Sequence, residues 1–196
     1  MENFAYDYDL EEEETKYELI NGKMCGLPPY EIIGGEKIMS PAPTSTHGAL
    51  VVEMILIFGF YINSKKIKAQ VFGDNVDVHF SAVERYKPDV SVVCNLDIID
   101  WKGAIKGAPD LIVEVFSNAT KKRDMGIKKD TYEKYGVREY WLVDPKEKSI
   151  VVYHLINNKY EFAGEFATNG INTKIKVSIF DDLIVDVRDV FKWWLD

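Results

Sequence analysis

The chain has 196 residues, a length that is typical of one domain. Its composition is 46% hydrophobic, 13% aromatic and 29% charged, which is usual for a globular protein and excludes a disordered chain. The net charge of −8 argues against a simple nucleic-acid-binding protein, because affinity for phosphate comes mainly from Lys and Arg. It does not exclude a nuclease, because a metal site contributes negative charge that the bound ion neutralises.

The sequence carries no recognisable signal for a location outside the cytoplasm. We expect no membrane span, since we find no apolar run long enough to cross a bilayer. The N-terminal residues Met1–Phe4 lack the basic and apolar regions of a signal peptide. Cys25 and Cys94 form no metal-type spacing with each other or with the histidines, so we expect reduced thiols. These observations favour a cytoplasmic protein.

The first part of the chain predicts an acidic arm followed by two β-hairpins. Residues 1–16 are polar and acidic, and we separate this arm from a single domain that comprises residues 17–196. Asn21-Gly22 and Gly34-Gly35 each lie between apolar flanks, which is the strongest local signal for a hairpin turn.

The middle of the chain predicts a long helix and four strands. Thr46 is expected to cap a helix from about residue 47 to residue 63, apolar on most sides and therefore packed against a sheet. Strands are expected at about residues 67–72, 75–80, 89–94 and 110–116, with a loop at residues 95–106.

The last third predicts a helix, three strands and a short terminal helix. Residues 117–120 offer several N-caps for a helix that continues to about Tyr135, and Gly136 is the expected C-terminal glycine. Strands are expected at about residues 138–143, 149–155 and 159–166, and an aromatic helix at residues 187–195.

Glu114 is the most informative residue, because it interrupts the apolar run Leu111–Phe116. A carboxylate is rarely buried in a strand unless it is paired with a cation or binds a metal. Asp89 lies in a similar run that begins at Pro88. Two acids on core strands suggest a site for a divalent metal ion, whereas an ion pair with Lys or Arg would be the structural explanation.

Strand geometry selects Asp89 as the partner of Glu114. Asp110 and Glu114 share a strand face but are separated by about 13 Å at ~3.3 Å per residue, so they cannot both bind one ion directly. If the Asp89 strand neighbours the Glu114 strand, opposite residues lie roughly 5 Å apart. The two carboxylates could then hold Mg²⁺ or Mn²⁺, which prefer oxygen ligands.

The helix after Glu114 adds a lysine to this site. Asp124, Lys128, Tyr132 and Tyr135 share one helical face by their spacing. If that face meets the sheet near Glu114, Lys128 can orient a water molecule or stabilise a charged phosphate oxygen. A metal ion, two carboxylates and a lysine are the groups that metal-assisted hydrolysis of a phosphodiester requires.

Several motifs together resemble the Uma-two family of candidate restriction endonucleases. They are Pro88-Asp89-Val90, residues 107–115 with Ser117, and Arg123-Asp124 through Lys128 and Tyr132 to residues 136–141. Residues 30–43 with His47 also resemble the entry segment of that family. The motifs have the order and spacing of the family, and the likeness covers most of the chain from about residue 17.

The resemblance implies a fold, an activity and a set of site residues. The fold would be α/β, a PD-(D/E)XK nuclease-like core with a mixed β-sheet flanked by helices, and the activity Mg²⁺-dependent hydrolysis of DNA. Asp89 would be the acid of the PD element and Glu114 the second acid. The main-chain carbonyl of Val115 would be a further metal ligand.

One position departs from the superfamily pattern, which has a lysine two residues after the second acid. This chain has Phe116 there. The resemblance implies that the lysine lies on the following helix, where Lys128 matches. The adjacent Lys129 points about 100° away and is the second candidate.

Five more residues are candidates for supporting roles at the site. His47 begins the first long helix, where an imidazole can contact phosphate or an acid. Glu53 on the same helix could assist the metal, and Asp110 is either a turn residue or a support of the site. Asp124 is expected to pair with Lys128, and Tyr132 to pack beside it.

Two alternatives are open on the sequence alone. Phe116 and the pI of 5.0 are compatible with an inactive nuclease fold that is kept as a nucleic-acid-binding or regulatory module. The acids could instead form ion pairs in a structural homodimer. An active enzyme is also expected to be a homodimer, since cleavage of both strands of a duplex favours two sites related by a twofold axis.

Overall fold

The structure is a computed structural model that describes residues 17–20, 23–26, 30–39, 42–74, 76–117 and 120–194. The predicted acidic arm, residues 1–16, lies outside the described residues. In chain order the strands are β1 (Tyr17–Ile20), β2 (Lys23–Gly26), β3 (Tyr30–Ile33), β4 (Glu36–Met39), β5 (Gln70–Gly73), β6 (Val78–Ser81), β7 (Glu84–Tyr86), β8 (Val90–Val93), β9 (Ile105–Lys106), β10 (Leu111–Val115), β11 (Glu139–Asp144), β12 (Ser149–Ile156), β13 (Lys159–Ala167), β14 (Lys174–Lys176) and β15 (Ile184–Asp186). The α-helices are α1 (Ser45–Lys65), α2 (Lys121–Arg123), α3 (Lys129–Tyr135) and α4 (Val187–Val190).

A six-stranded mixed sheet forms the centre of the fold. Its strand order is β13-β12-β11-β10-β8-β5, and β10 pairs with β11 in parallel while its other neighbour, β8, is antiparallel. All five residues of β10 are buried, because both faces of the sheet are covered. The expected α/β fold with a mixed sheet flanked by helices is confirmed.

Helix α1 covers one face of this sheet. Leu50, Met54 and Phe58 are fully buried, and the Phe58 ring contacts Trp141 of β11 at 5.6 Å between centroids. The helix begins earlier than predicted, because the side chain of Thr44, not Thr46, accepts a hydrogen bond from a main-chain N–H of the first turn. By length and composition alone α1 could cross a membrane, although no run of that length was expected from the sequence. Its inward face packs on the central sheet.

A five-stranded sheet lies over the opposite face of the central sheet. Its strand order is β4-β3-β7-β6-β9, and its inner residues pack with those of β10 and α3 in one apolar cluster. The predicted Gly34-Gly35 hairpin is confirmed, since both glycines have positive φ (59° and 86°) and Ile33 pairs with Glu36. Strands β1 and β2 also pair antiparallel, although their turn, residues 21–22, lies outside the described residues.

The segment after β10 is not the single helix that the sequence predicts. A π-helical turn, Asp124–Lys128, separates α2 from α3, and Gly126 leaves the helical region at φ −109° and ψ −106°. Gly136 ends α3 in the left-handed conformation, as predicted. The terminal aromatic helix is likewise divided, into α4 and a 3₁₀ turn at Lys192–Trp194.

Candidate functional site

Asp89 and Glu114 lie at neighbouring strands, which is the arrangement that the predicted metal site needs. Strand β8 runs antiparallel to β10 with Val90 opposite Val113, so Asp89, one residue before β8, continues the register opposite Glu114. Asp89 Oδ2 accepts a hydrogen bond of 2.6 Å from the main-chain N–H of Val115. The two acids are therefore held together at the end of the central sheet.

Lys128 reaches Glu114 from the π-helical turn. Its Nζ lies 3.0 Å from Glu114 Oε1, and the hydroxyl of Tyr132 donates to the same oxygen at 2.6 Å. Only 3% of Lys128 is exposed, so this contact is shielded from solvent. Lys129 instead lies 4.6 Å from the ring centroid of Tyr153. The structure thus brings together the first-choice lysine, not the second, with Glu114.

Glu31 is a site residue that the sequence analysis missed. It lies on β3, is 2% exposed, and its Oε1 is 2.8 Å from Lys128 Nζ. The same oxygen accepts a hydrogen bond from the main-chain N–H of Lys87. The signal was available, because Glu31 is two residues before Ile33 on the same strand and therefore shares its inward face.

Burial and neighbouring charges shift the pKa values of the ionisable groups at the site. Burial raises the pKa of Glu114 well above its usual value, against the opposing effect of the Lys128 charge. Burial also raises the pKa of Asp124 to about 6. Burial alone would lower the pKa of Lys128, but the charges of Glu114 and Glu31 outweigh it and raise that pKa. Lys128 therefore stays protonated among three buried carboxylates.

His47 contacts the site from the start of α1. Its Nε2 lies 3.2 Å from Asp89 Oδ1, and the hydrogen bond to Asp89 is the largest cause of the raised pKa of His47. The main chain of Val115 raises this pKa as well. A positively charged imidazole is thus favoured beside Asp89 and Val115, which the family resemblance assigns as metal ligands together with Glu114.

Two of the predicted supporting residues lie elsewhere. The carboxylate of Glu53 contacts Lys192 Nζ at 2.8 Å and Trp193 Nε1 at 2.9 Å, because its position on α1 faces the C-terminal segment. Asp110 accepts hydrogen bonds from the main-chain N–H of Cys94 and from Arg138. Their partners give both residues a structural role. Asp124 and Tyr132, by contrast, lie beside Lys128 and Glu114 as expected.

The site opens into a cleft of about 800 Å³. The cleft is bordered by the central sheet, the start of α1 and the segment that contains α2, and it exposes acidic and basic groups together. Its lining includes His47, Lys87, Asp89, Glu114, Phe116, Lys121, Arg123 and Lys128. A polar, anionic substrate with a cation would match this mixture of charges.

The donor groups of the cleft fit a hard divalent cation. Among the described residues, no three His, Cys, Asp or Glu side chains converge as a metal site. Mg²⁺, however, commonly takes one or two carboxylates and keeps several water molecules. Asp89, Glu114 and the Val115 carbonyl could supply such a set. Asp124 Oδ1 and Glu31 Oε2 are buried without a hydrogen-bond partner in the described part of the chain. Each has a longer ion-pair contact, Asp124 Oδ1 with Lys128 Nζ at 3.9 Å and Glu31 Oε2 with Arg123 Nη2 at 3.6 Å.

Comparisons with known proteins agree with the motifs in the sequence. The crystal structure of a putative nuclease belonging to DUF820 from Anabaena variabilis ATCC 29413 has a TM-score of 0.69 and 25% sequence identity, covering 86% of this chain and 92% of that chain. No curated protein matches this sequence. Residues 24–171 match the Uma2 family, described as "Putative restriction endonuclease". Because this match spans well over half of the chain, the protein belongs to the Uma2 family.

Proposed function

We propose that this protein is a Mg²⁺-dependent endonuclease that hydrolyses phosphodiester bonds of DNA. The observation that carries the proposal is the distance of 3.0 Å between Lys128 Nζ and Glu114 Oε1, next to Asp89 on the adjoining strand. A lysine from the helical segment then substitutes for the one that Phe116 replaces. The match to a family of nuclease-like proteins supports the same proposal.

Each residue would have a separate task in the reaction. Asp89, Glu114 and the Val115 carbonyl would hold Mg²⁺ or Mn²⁺, which when bound polarises the phosphate and lowers the pKa of a coordinated water. Lys128 has three N–H donors and gives two of them to Glu114 and Glu31. The third would donate to a water or a phosphate oxygen, and Asp124 Oδ1 lies 3.9 Å from the same Nζ. Because its pKa is raised, Lys128 would orient and stabilise rather than accept a proton.

A plasmid-cleavage assay with two buried glutamates tests this proposal. Glu114→Gln keeps the size of the side chain but removes the charge that would bind the cation. We expect cleavage with Mg²⁺ or Mn²⁺ to fall at least about 100-fold. Glu53→Gln is the matched control, because Glu53 is also buried but contacts Lys192 and Trp193 instead. It should retain wild-type cleavage while its melting temperature falls.

The assay has two outcomes that would overturn the proposal. Equal cleavage by wild type and Glu114→Gln would indicate a contaminating nuclease. Equal loss in Glu114→Gln and Glu53→Gln would indicate a general effect on folding. Calorimetric titration with Mn²⁺ gives a second readout, in which Glu114→Gln should bind the ion at least 10-fold more weakly than Glu53→Gln.

One observation favours the inactive binding module as a second candidate. Lys128 Nζ is already shared by two buried carboxylates, Glu31 and Glu114, and a lysine that only neutralises buried acids would look the same. DNA binding that persists in a chelator, with no cleavage in Mg²⁺ or Mn²⁺ at any concentration of protein, would support that module over the enzyme.

A further inference from the structure

A row of basic side chains crosses the five-stranded sheet. The strand registers place Lys37 opposite Ile32, Ile32 opposite Arg85, Arg85 opposite His79, and His79 opposite Lys106. Residues that are directly opposite in neighbouring strands project from the same face. The five residues therefore form one continuous line over all five strands, which we call the basic row.

The basic row lies on the outer face of the sheet. The alternate residues Ile33, Val78, Tyr86 and Ile105 are buried in the apolar cluster beneath the sheet. By contrast, Lys37 and Lys106 are exposed and Arg85 and His79 are half-buried. The row therefore lies on the face of the sheet that is opposite the apolar cluster.

The composition of this face differs from that of the whole chain. The protein has a net charge of −8, yet the row carries Lys37, Arg85 and Lys106 with no acid among its members. After burial, the charges of Arg85, Lys106 and Lys87 lower the pKa of His79, whereas Asp77 raises it. The groups around the centre of the row are therefore predominantly basic.

The face that carries the row continues into the cleft. Lys87 follows Arg85 by two residues, lines the cleft and forms an ion pair with Asp77. Lys106 is similarly paired with Asp100 at 3.2 Å. On the inner side of the same sheet, Glu31 contacts Lys128. The basic row and Glu31 therefore lie on opposite faces of the five-stranded sheet, and Lys87 joins the row to the rim of the cleft that contains the candidate metal site.

We propose that the basic row is a second DNA-binding surface, which contacts the phosphate backbone of duplex DNA outside the cleft. This inference rests on the proposed function, because it assumes that the cleft binds DNA. The basic row would then bind the part of the duplex that extends beyond the cleft. Five strands at ~4.8 Å spacing give a row of about 19 Å, a length over which one strand of a duplex advances by about six phosphates. The cations of the row would contact those phosphates that face the sheet. Lys and Arg at this surface contact phosphates and confer no sequence preference.

The salt dependence of DNA binding tests the surface with charge-matched variants. Lys37→Gln/Lys106→Gln removes two cations from the row, and Lys174→Gln/Lys176→Gln removes two exposed cations from β14. Binding of a labelled duplex is measured by fluorescence anisotropy in EDTA between 50 and 200 mM salt. Each phosphate contact contributes about 0.9 to the slope of log K against log salt. We expect the row variant to lose about 1.8 of this slope and the β14 variant to keep it.

The outcomes separate this inference from the proposed function. The proposal that the basic row binds DNA would be overturned by equal slopes for the row variant and the wild type. Equal losses of slope in both double variants would overturn it as well. Loss of slope in the row variant alone would support it even if no protein cleaves DNA. Conversely, metal-dependent cleavage that requires Glu114, with unchanged slopes, would support the nuclease proposal and reject only the DNA-binding role of the basic row.

Discussion

Replacing Lys128 with Met is expected to lower the free energy of unfolding by about 3–5 kcal/mol, because it leaves buried carboxylates without their cation. Lys128 is 3% exposed and lies 2.8 Å from Glu31 Oε1 and 3.0 Å from Glu114 Oε1. Cleavage should fall by about 10²–10³-fold, the usual cost of removing a donor to a charged transition state. Urea unfolding and plasmid cleavage measure the two effects.

Two further variants separate stability from catalysis. Lys129→Met removes the neighbouring lysine, which lies over the Tyr153 ring. Its effects on the free energy of unfolding and on cleavage should both be much smaller than those of Lys128→Met. In Lys128→Met/Glu31→Gln, one unpaired carboxylate is neutralised, so part of the lost stability should return. Cleavage should stay low, because the donor is still missing. Recovery of cleavage together with stability would show that Lys128 acts only as a structural counterion.

The sequence predicted the acids of the site from a local conflict. Glu114 is a charged residue in a run of buried β-branched residues, and such a conflict is visible without knowledge of the fold. The pairing of Asp89 with Glu114 followed from strand geometry once β8 and β10 were assumed to be neighbours. Helical spacing made Lys128 a conditional candidate, and the family resemblance strengthened it, because a lysine on a helix is ordinarily exposed to solvent.

The contribution of Glu31 could not be predicted as readily. The hairpin signal at Gly34-Gly35 placed Glu31 on a strand, but the packing of that strand over α3 depends on contacts between distant parts of the chain. Strands β7 and β9 were missed for the same reason, since three and two residues carry little periodicity and depend on partners elsewhere.

The division of the helix after β10 also depends on tertiary structure. The spacing of Asp124, Lys128 and Tyr132 predicted a common face, and all three do surround the Glu114 region. The intervening π-helical turn breaks the regular helix at Gly126. A prediction based on a constant period of 3.6 residues cannot detect such a break. Turns of this type are frequent at functional sites, and here the turn carries the lysine.

The excess of buried carboxylates predicts that divalent ions stabilise the fold. Burial and the charges of Asp89 and Asp124 raise the pKa of Glu114, so a bound cation would relieve repulsion that Lys128 does not fully balance. An ion at about 100 times its dissociation constant adds about 2.7 kcal/mol to the stability of the state that binds it. For a chain of this length the melting temperature should rise by about 5–10 °C with saturating Mn²⁺.

Two aspartates of the central sheet provide the comparison for this measurement. Asp89→Asn should abolish most of the Mn²⁺-induced shift, because Asp89 faces the cleft beside Val115. Asp110→Asn should keep the Mn²⁺-induced shift, because the Asp110 carboxylate contacts Cys94 and Arg138. Loss of these contacts should lower the melting temperature of this variant in the absence of Mn²⁺. An equal shift in wild type and Asp89→Asn would place the ion elsewhere. Since thermal unfolding requires no DNA, this result would exclude the metal site whether or not the protein cleaves its substrate.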